Sequence, residues 1–493
     1  MKEVSLKLKP WTKKDVASNV ATYVCNIILL CLLFLGTVYL DSRASGKAFA
    51  EYFYDATEFF NFFILLVLTC AVMLLYFLFE DKNFLKDAVN SEMLFLILEV
   101  SIVICYFSGR YVNVYLRPLA MAALITLFVT NSRTAVFMNV IFCIMIFVFD
   151  SFSAASVDMI NEVFFLLMGI TSGTIGVYCM KNVYSRLRLF LMSLIISLPA
   201  LLCIVIPITA FGGDNIVLPL LSGFASGPLA AIGFTVLLPF FETLFKRVST
   251  FRYAEFTDHK SKFIRKLITE APGTFNHSII VSNIAEACAT AIGEDALLAR
   301  TCAYYHDVGK LRRAEYFKEN QAEGANPHND LMPELSANII KSHTTDGYNF
   351  VMKNRMPKII ADVCLQHHGT MPILYFYDKA KKFTDGEVDI RQYCYAGPKP
   401  QSKIAAILMI ADSCEAATRT LKDRSRDKVT AVVRKIVNDR MQLGQFDECE
   451  ITLKELNIII YTVINNLTGV YHSRIEYPTV SLDDLDLEAD RQI

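Results

Sequence analysis

"YYHDVGKLRRAEYF", residues 304–317, closes a run of helix-forming apolar residues and sets His306, Asp307 and Lys310 within about one helical turn. An imidazole, a carboxylate and an ammonium group at the end of a buried helix are costly unless they are paired or ligate something. Outward from this stretch, His277, His343 and the pair His367-His368 lie on, or at the end of, three different apolar helices, and Asp412 lies on a further one. His306-Asp307 and His367-His368 put two ligand-type groups on adjacent positions. Their side chains diverge by about 100° on a helix, so each pair can address two atoms of one site.

Imidazole and carboxylate donors suit a first-row ion such as Fe, Mn, Co or Zn, and one carboxylate can bridge two such ions. Asp307 is the natural bridge. Lys310, three residues on, shares its helical face and would meet a substrate phosphate there.

The segments around these residues are helical throughout. "SIIVSNIAEACATAI", "ALLARTCAYYHDV", "LSANIIKSHTTDGYNFV", "KIIADVCLQHH", "SKIAAILMIADSCEAATRTL" and "LKELNIIIYTVINNLTGVYHS" each carry an apolar stripe at helical spacing, with no competing alternation of period two. Residues 274–475 therefore read as one all-helical domain, followed by an acidic, solvated tail at 476–493.

The first half is of another kind. The 493-residue chain is 54% hydrophobic, above the roughly 45 to 50% usual for soluble domains. Eight apolar stretches are expected to cross a bilayer, near 19–40, 58–79, 92–108, 114–130, 134–150, 160–180, 188–210 and 216–245. The first is a retained anchor behind a basic segment, 1–18, and a short connector at 41–57 leads to a seven-span block, 58–245. Alternate gaps hold Lys82 and Lys86, Arg133, Lys181 with Arg186 and Arg188, and Lys246 with Arg247, which places both chain ends in the cytoplasm of a plasma-membrane protein. Gly169 with Gly173, and Gly223 with Gly227, have the four-residue spacing of close helix contacts. No span carries a lone Lys or Arg or a row of acids at mid-depth, Glu99 being the nearest candidate, which argues against transport. Residues 246–273 read as a juxtamembrane connecting helix.

A net charge of −1 offers no global field for nucleic acid. The 13 cysteines include no C-x-x-C pair and read as reduced, packed thiols, Cys364 before the His pair included. His259 and His472 read as surface residues and His328 as a loop residue.

These residues also carry a resemblance. "HDVGK", His277 in "APGTFNHS", His343, "QHHG" and Asp412 in "ADS" resemble the metal-dependent HD phosphohydrolase superfamily. The flanking phrases "EAPGTFNHSIIVSNIAEA", "NPHNDLMPELSANIIKSHTTDGY" and "CLQHHGTMPILYFYDKA" are similar to the seven-transmembrane HD phosphodiesterases that hydrolyse cyclic di-AMP in bacteria, over nearly all of residues 56–475. The resemblance implies that His277, His306, Asp307 and Asp412 bind one divalent ion, and that Asp307, His343, His367 and His368 bind a second, Mn or Fe. It implies that Lys310 contacts phosphate and that cyclic di-AMP is opened to linear pApA by water activated between the two ions. Tyr375 and Tyr377 in "LYFY" offer rings able to stack on adenine. The expected partners are a cyclic dinucleotide and the lipid bilayer, with no nucleic acid and with a homodimer left open.

One departure is plain. That family usually carries a large extracellular domain after its first span, where only residues 41–57 stand here, so sensing by such a domain is not expected. "HTTDGYNF" resembles the H-D-G-Y-P wording of phosphodiesterases that open cyclic di-GMP. Asn349 stands where Pro is required, and "HHG" lacks the acid after the second His. Cyclic di-GMP or another nucleotide is the alternative substrate, and a non-catalytic nucleotide receptor the alternative class. All seven ligand positions and Lys310 are filled by competent groups, which favours an enzyme.

Overall fold

The computed structural model describes residues 12–46, 49, 56–152, 159–181, 183, 186–211, 216–321, 326–383 and 387–470. His472 and the acidic tail lie outside the described residues, as do residues 47–48 and 50–55 of the expected 41–57 connector, whose first five residues belong to the helix Lys13–Ser45. Among the described residues there is no strand, only an isolated bridge between Pro372 and Cys394. The chain divides into two compact units, Met1–Arg252 and Tyr253–Ile493.

The first unit is built from α1 (Lys13–Ser45), α2 (Ala56–Glu80), α3 (Ala88–Tyr111), α4 (Met121–Val129), α5 (Ser132–Ser151), α6 (Met159–Met180), α7 (Arg186–Phe211) and α8 (Val217–Phe245). Among the described residues seven helices are long and apolar enough to cross a membrane. They turn apolar side chains outward, as Leu68 at 57% exposure and Val236 at 69% illustrate, which suits a lipid surround rather than water.

The fourth expected span is corrected by the structure. Instead of one helix over 114–130 there is a 3-10 turn at Val114–Leu116 and then a nine-residue helix, α4. Pro118 has no amide hydrogen to continue the ladder from that turn. The path nevertheless runs the length of α5. Arg117 pairs with Asp150 at the C-terminal end of α5, whereas Arg133 at its N-terminal end reaches Glu80 at 3.1 Å. Residues 117 and 133 thus sit at opposite ends of the block, and Asn131, whose side chain caps α5 by accepting from the Thr134 amide at 2.9 Å, keeps α4 and α5 separate.

Apolar burial does not drive helices together in lipid, so close packing and polar contacts must. A Cβ on Gly173 would fall on the Asn139 amide, and one on Gly227 on the Ser193 carbonyl, so both expected close approaches are present. Ser197 ties α7 to α8, donating to the Phe224 carbonyl at 2.7 Å and accepting from the Gly227 amide at 3.1 Å. α1 is pinned to α3 by Asn26, which donates to Glu92 at 2.8 Å, and by Asp41, which accepts from Arg110 at 2.7 Å.

The single connecting helix expected at 246–273 is two short ones, α9 (Thr250–Phe256) and α10 (Lys262–Glu270). The Asp258 side chain accepts from the Lys260 amide at 2.8 Å and its carbonyl from the Ser261 amide at 2.8 Å, a turn that competes with helix. Ile264 and Leu267 of α10 are fully buried in the core of the second unit.

That unit continues with α11 (Pro272–Ile292), α12 (Ala296–Tyr305), α13 (Pro333–Lys353), α14 (Lys358–Gln366), α15 (Leu374–Phe383), α16 (Lys403–Arg419), α17 (Arg426–Gln442) and α18 (Leu453–Val470). Pro272 opens α11 and Gly293, at φ 79°, closes it. The buried face of α11 runs Thr274, His277, Ser278, Val281, Ile284, Ala285, Cys288, so His277 occupies a core position. α16 is buried almost all round, and Asp412 stands in its middle.

Candidate metal centre

The site forms where helix ends meet helix middles. His306 is the C-cap of α12, and Asp307 (φ −104°, ψ 11°) starts the 3-10 turn Val308–Arg312. His367 is the C-cap of α14, followed by Gly369 at φ 51°. His277, His343 and Asp412 come from within α11, α13 and α16. Gly309 explains the spacing of "HDVGK": a Cβ there would overlap the His343 carbonyl and the Gly347 amide, so only glycine lets this turn lie against α13.

All seven sequence-selected ligand candidates converge. His277, His306, Asp307 and Asp412 bring one donor atom each within 4.8 Å of one another, and His343, His367 and His368 do the same. Asp307 joins the two groups. Its Oδ2 lies 3.3 Å from His306 Nε2 and 3.8 Å from His277 Nε2, while its Oδ1 lies 3.3 Å from His343 Nε2 and 3.6 Å from His367 Nε2. Asp412 is 3.0 Å from His277 Nε2 through Oδ1 and 3.7 Å from His368 Nδ1 through Oδ2.

The outward ring nitrogens are held. His306 Nδ1 is 2.7 Å from the Ala303 carbonyl, His343 Nδ1 2.6 Å from that of Ile340, and His367 Nδ1 2.9 Å from that of Cys364. His277 Nδ1 faces Glu415 Oε2 at 2.5 Å. A ring that donates outward through Nδ1 presents the Nε2 lone pair inward, the arrangement of metal-binding histidines. Among the described residues His306 Nε2 and Asp307 Oδ1 are buried with no hydrogen-bond partner, which is expensive for polar atoms unless something else meets them.

The electrostatics point the same way. Burial alone would raise Asp307 and Asp412, but the neighbouring imidazoles, and Lys310 in the case of Asp307, hold both carboxyls well below the usual range. Burial disfavours charge on His306, yet Asp307 and Asp412 raise it to about 10. His343 goes the other way, to about 3, because burial is reinforced by His367 and Lys310. The carboxylates thus draw a proton onto His306, in a position where a cation would serve instead.

Lys310 lies beside the cluster, with Nζ 2.6 Å from Asp307 Oδ2 and 2.8 Å from Glu319 Oε1. Burial opposes its charge, but these two acids raise its pKa. Tyr375 is 66% exposed, and Tyr377 packs on Tyr393 and under Lys381. The aromatic rings that adjoin the histidines are Tyr395, 4.4 Å from the His368 ring centroid, and Phe317, 5.7 Å from that of His343. Of the remaining histidines, His259 is exposed, and His328 is buried with Nε2 2.9 Å from the Tyr316 carbonyl. Cys364 is a core thiol donating to the Tyr305 carbonyl at 3.3 Å.

Sequence reasoning missed Glu415, Glu319 and Tyr395. Glu415 carried a signal, since it follows Asp412 by three residues on one helix and so shares its face. Glu319 lies in a 3-10 turn, Lys318–Asn320, and Tyr395 in an irregular segment, and the approach of both to the cluster is tertiary.

Residues 56–249 match the family described as "7TM receptor with intracellular HD hydrolase", and residues 274–417 match the HD domain. Cyclic-di-AMP phosphodiesterase PgpH of Bacillus subtilis is 38% identical over 406 residues, 81% of this chain and 56% of that protein. PgpH of Listeria monocytogenes is 40% identical over 379 residues, 76% of this chain and 51% of that protein. The crystal structure of the L. monocytogenes PgpH HD domain in complex with cyclic-di-AMP aligns at 48% identity over 44% of this chain and 100% of its own, with a TM-score of 0.42. The chain spans about half the length of the curated relatives it matches.

Proposed function

Because this chain belongs to the seven-transmembrane proteins that carry an HD hydrolase domain, we propose that it is a metal-dependent phosphodiesterase of the plasma membrane that opens cyclic di-AMP to linear pApA. The observation that carries this reading is the convergence of four imidazole Nε2 atoms on the two oxygens of Asp307. The donor set and the two unpartnered buried atoms, His306 Nε2 and Asp307 Oδ1, fit a pair of divalent ions. His277, His306, Asp307 and Asp412 would hold the first ion; Asp307, His343, His367 and His368 would hold the second. Mn or Fe suits both. Such ions supply Lewis acidity, lowering the pKa of a water and offsetting charge on phosphoryl oxygens.

The chain's own groups do the rest. Glu415 fixes the His277 ring, and the three backbone carbonyls fix His306, His343 and His367, so the inward face of the cluster is preorganised. Lys310, held between Asp307 and Glu319, keeps an ammonium group where a phosphodiester oxygen would arrive. The exposed ring of Tyr375 and the neighbouring Tyr377 offer stacking surface to a purine. The names of the two PgpH relatives favour adenine, and the basic gaps between spans favour a cytoplasmic catalytic unit.

The test is purified full-length protein supplied with Mn²⁺ or Fe²⁺ and given cyclic di-AMP and cyclic di-GMP together. The expected result is pApA as the dominant product. Equal rates on the two nucleotides would overturn the adenine assignment, and absence of hydrolysis with two bound ions would favour a receptor.

A further inference from the structure

Far from the metal cluster in sequence, the membrane block holds a second group of charges. A cavity of about 170 Å³ is lined by Asp41 of α1, Arg110 and Tyr106 of α3, Asp150 of α5, Arg117 and Thr37. Arg110 Nε donates to Asp41 Oδ1 at 2.7 Å, and the Tyr106 hydroxyl donates to the same oxygen at 2.9 Å. Arg117 grips Asp150 with both terminal nitrogens, Nη2 to Oδ1 at 3.1 Å. The side chains of Asp41 and Arg117 are only 4% and 11% exposed. Arg117 Nε is buried without a hydrogen-bond partner among the described residues.

These ion pairs join α1 to α3 and the segment before α4 to α5, yet they leave a void between them and a buried guanidinium nitrogen unsatisfied, which a polar ligand would meet. The void has room for a small molecule. Its charges cancel. A bare anion or cation would meet as many like charges as opposite ones, whereas a zwitterion can set its carboxylate on the guanidinium groups and its ammonium on the acids.

We propose that this cavity binds a small zwitterion of the α-amino-acid class, with its carboxylate on Arg110 and Arg117 and its ammonium on Asp41 and Asp150. The unsatisfied Nε of Arg117 gains an acceptor in that complex. Asp41 belongs to α1, outside the residues 56–249 that match the seven-transmembrane family, so the site exists only with the first helix docked on the block. The proposal does not depend on the phosphodiesterase reading.

Isothermal titration of the full-length protein in nanodiscs with glycine and L-alanine tests it, with acetate and methylammonium as half-ligands. Saturable binding of an amino acid is expected, weaker by about tenfold or more for either half-ligand and for Arg117→Gln. Thr37→Leu keeps all four charges and fills the void, so it separates loss of the site from loss of the fold; binding should vanish while the thermal midpoint holds. No saturable heat with either amino acid would overturn the proposal. So would acetate binding as tightly as alanine, or unchanged binding in Thr37→Leu.

Discussion

Glu415 sets a carboxylate oxygen 2.5 Å from Nδ1 of His277, and thereby turns Nε2 of that ring to Asp412 at 3.0 Å. Arg419 holds the other Glu415 oxygen at 2.6 Å, so the acid is itself fixed. Outer partners of this kind commonly change metal affinity by about 10 to 100-fold when removed. Glu415→Gln should therefore bind Mn²⁺ about 10 to 100-fold more weakly, measured by equilibrium dialysis, with little change in helix content. Unchanged affinity would show that the ring is oriented without its help.

Asp307 touches both halves of the cluster most closely, with 3.3 Å contacts to His306 on one side and His343 on the other. Asp307→Asn keeps the shape and removes the charge. It should lower bound metal below two ions per chain and reduce turnover by more than the ~100-fold upper range for an outer partner. Elemental analysis alongside the hydrolysis assay checks both, and a variant that retains two ions and normal turnover would refute the bridging role.

His306 and His343 shift in opposite directions and give a pH signature. His306 is raised to about 10, so its contribution to folding is fully present below its ordinary value of 6.5 and is lost as pH rises through about 10. His343 is lowered to about 3, so its contribution is present above 6.5 and is lost as pH falls towards 3. In the cation-free protein at about pH 8, His306 therefore carries a proton that a metal must displace. Titrating Mn²⁺ in two buffers of different ionisation enthalpy should give heats that differ by about one proton per chain. Buffer-independent heats would contradict it.

Much of this was legible from spacing. The stripes on α11, α13 and α16 carry His277, His343 and Asp412 on buried faces because helical periodicity fixes which residues point inward. The adjacent pairs His306-Asp307 and His367-His368 fall at helix ends, where the chain can send neighbouring side chains into one cavity. What was hidden depends on contacts distant in sequence. Tyr395 reaches His368, and Glu319 reaches Lys310, from segments with no period to read. The short α4 was obscured because hydropathy counts apolar residues without sensing that Pro118 breaks the ladder before nine helical residues. The 246–273 connector divided for a local reason, the Asp258 turn, that an apolar pattern does not register.

Gly309 gives a test of how the 3-10 turn is seated. A Cβ at this position would meet backbone, the His343 carbonyl and the Gly347 amide, rather than the movable end of a side chain. Gly309→Ala must then push the 308–312 turn away from α13, at a cost of about 1 to 3 kcal/mol. The displacement falls between Asp307 and His343, whose 3.3 Å contact belongs to the second ligand group, while His277 and Asp412 approach from α11 and α16. The variant should unfold at a lower temperature and bind metal more weakly at both ions, since Asp307 contacts both ligand groups, read by thermal denaturation and a metal-binding isotherm. An unchanged thermal midpoint with unchanged metal affinity would show that the turn tolerates the methyl group and that Gly309 is not what seats Asp307 against His343.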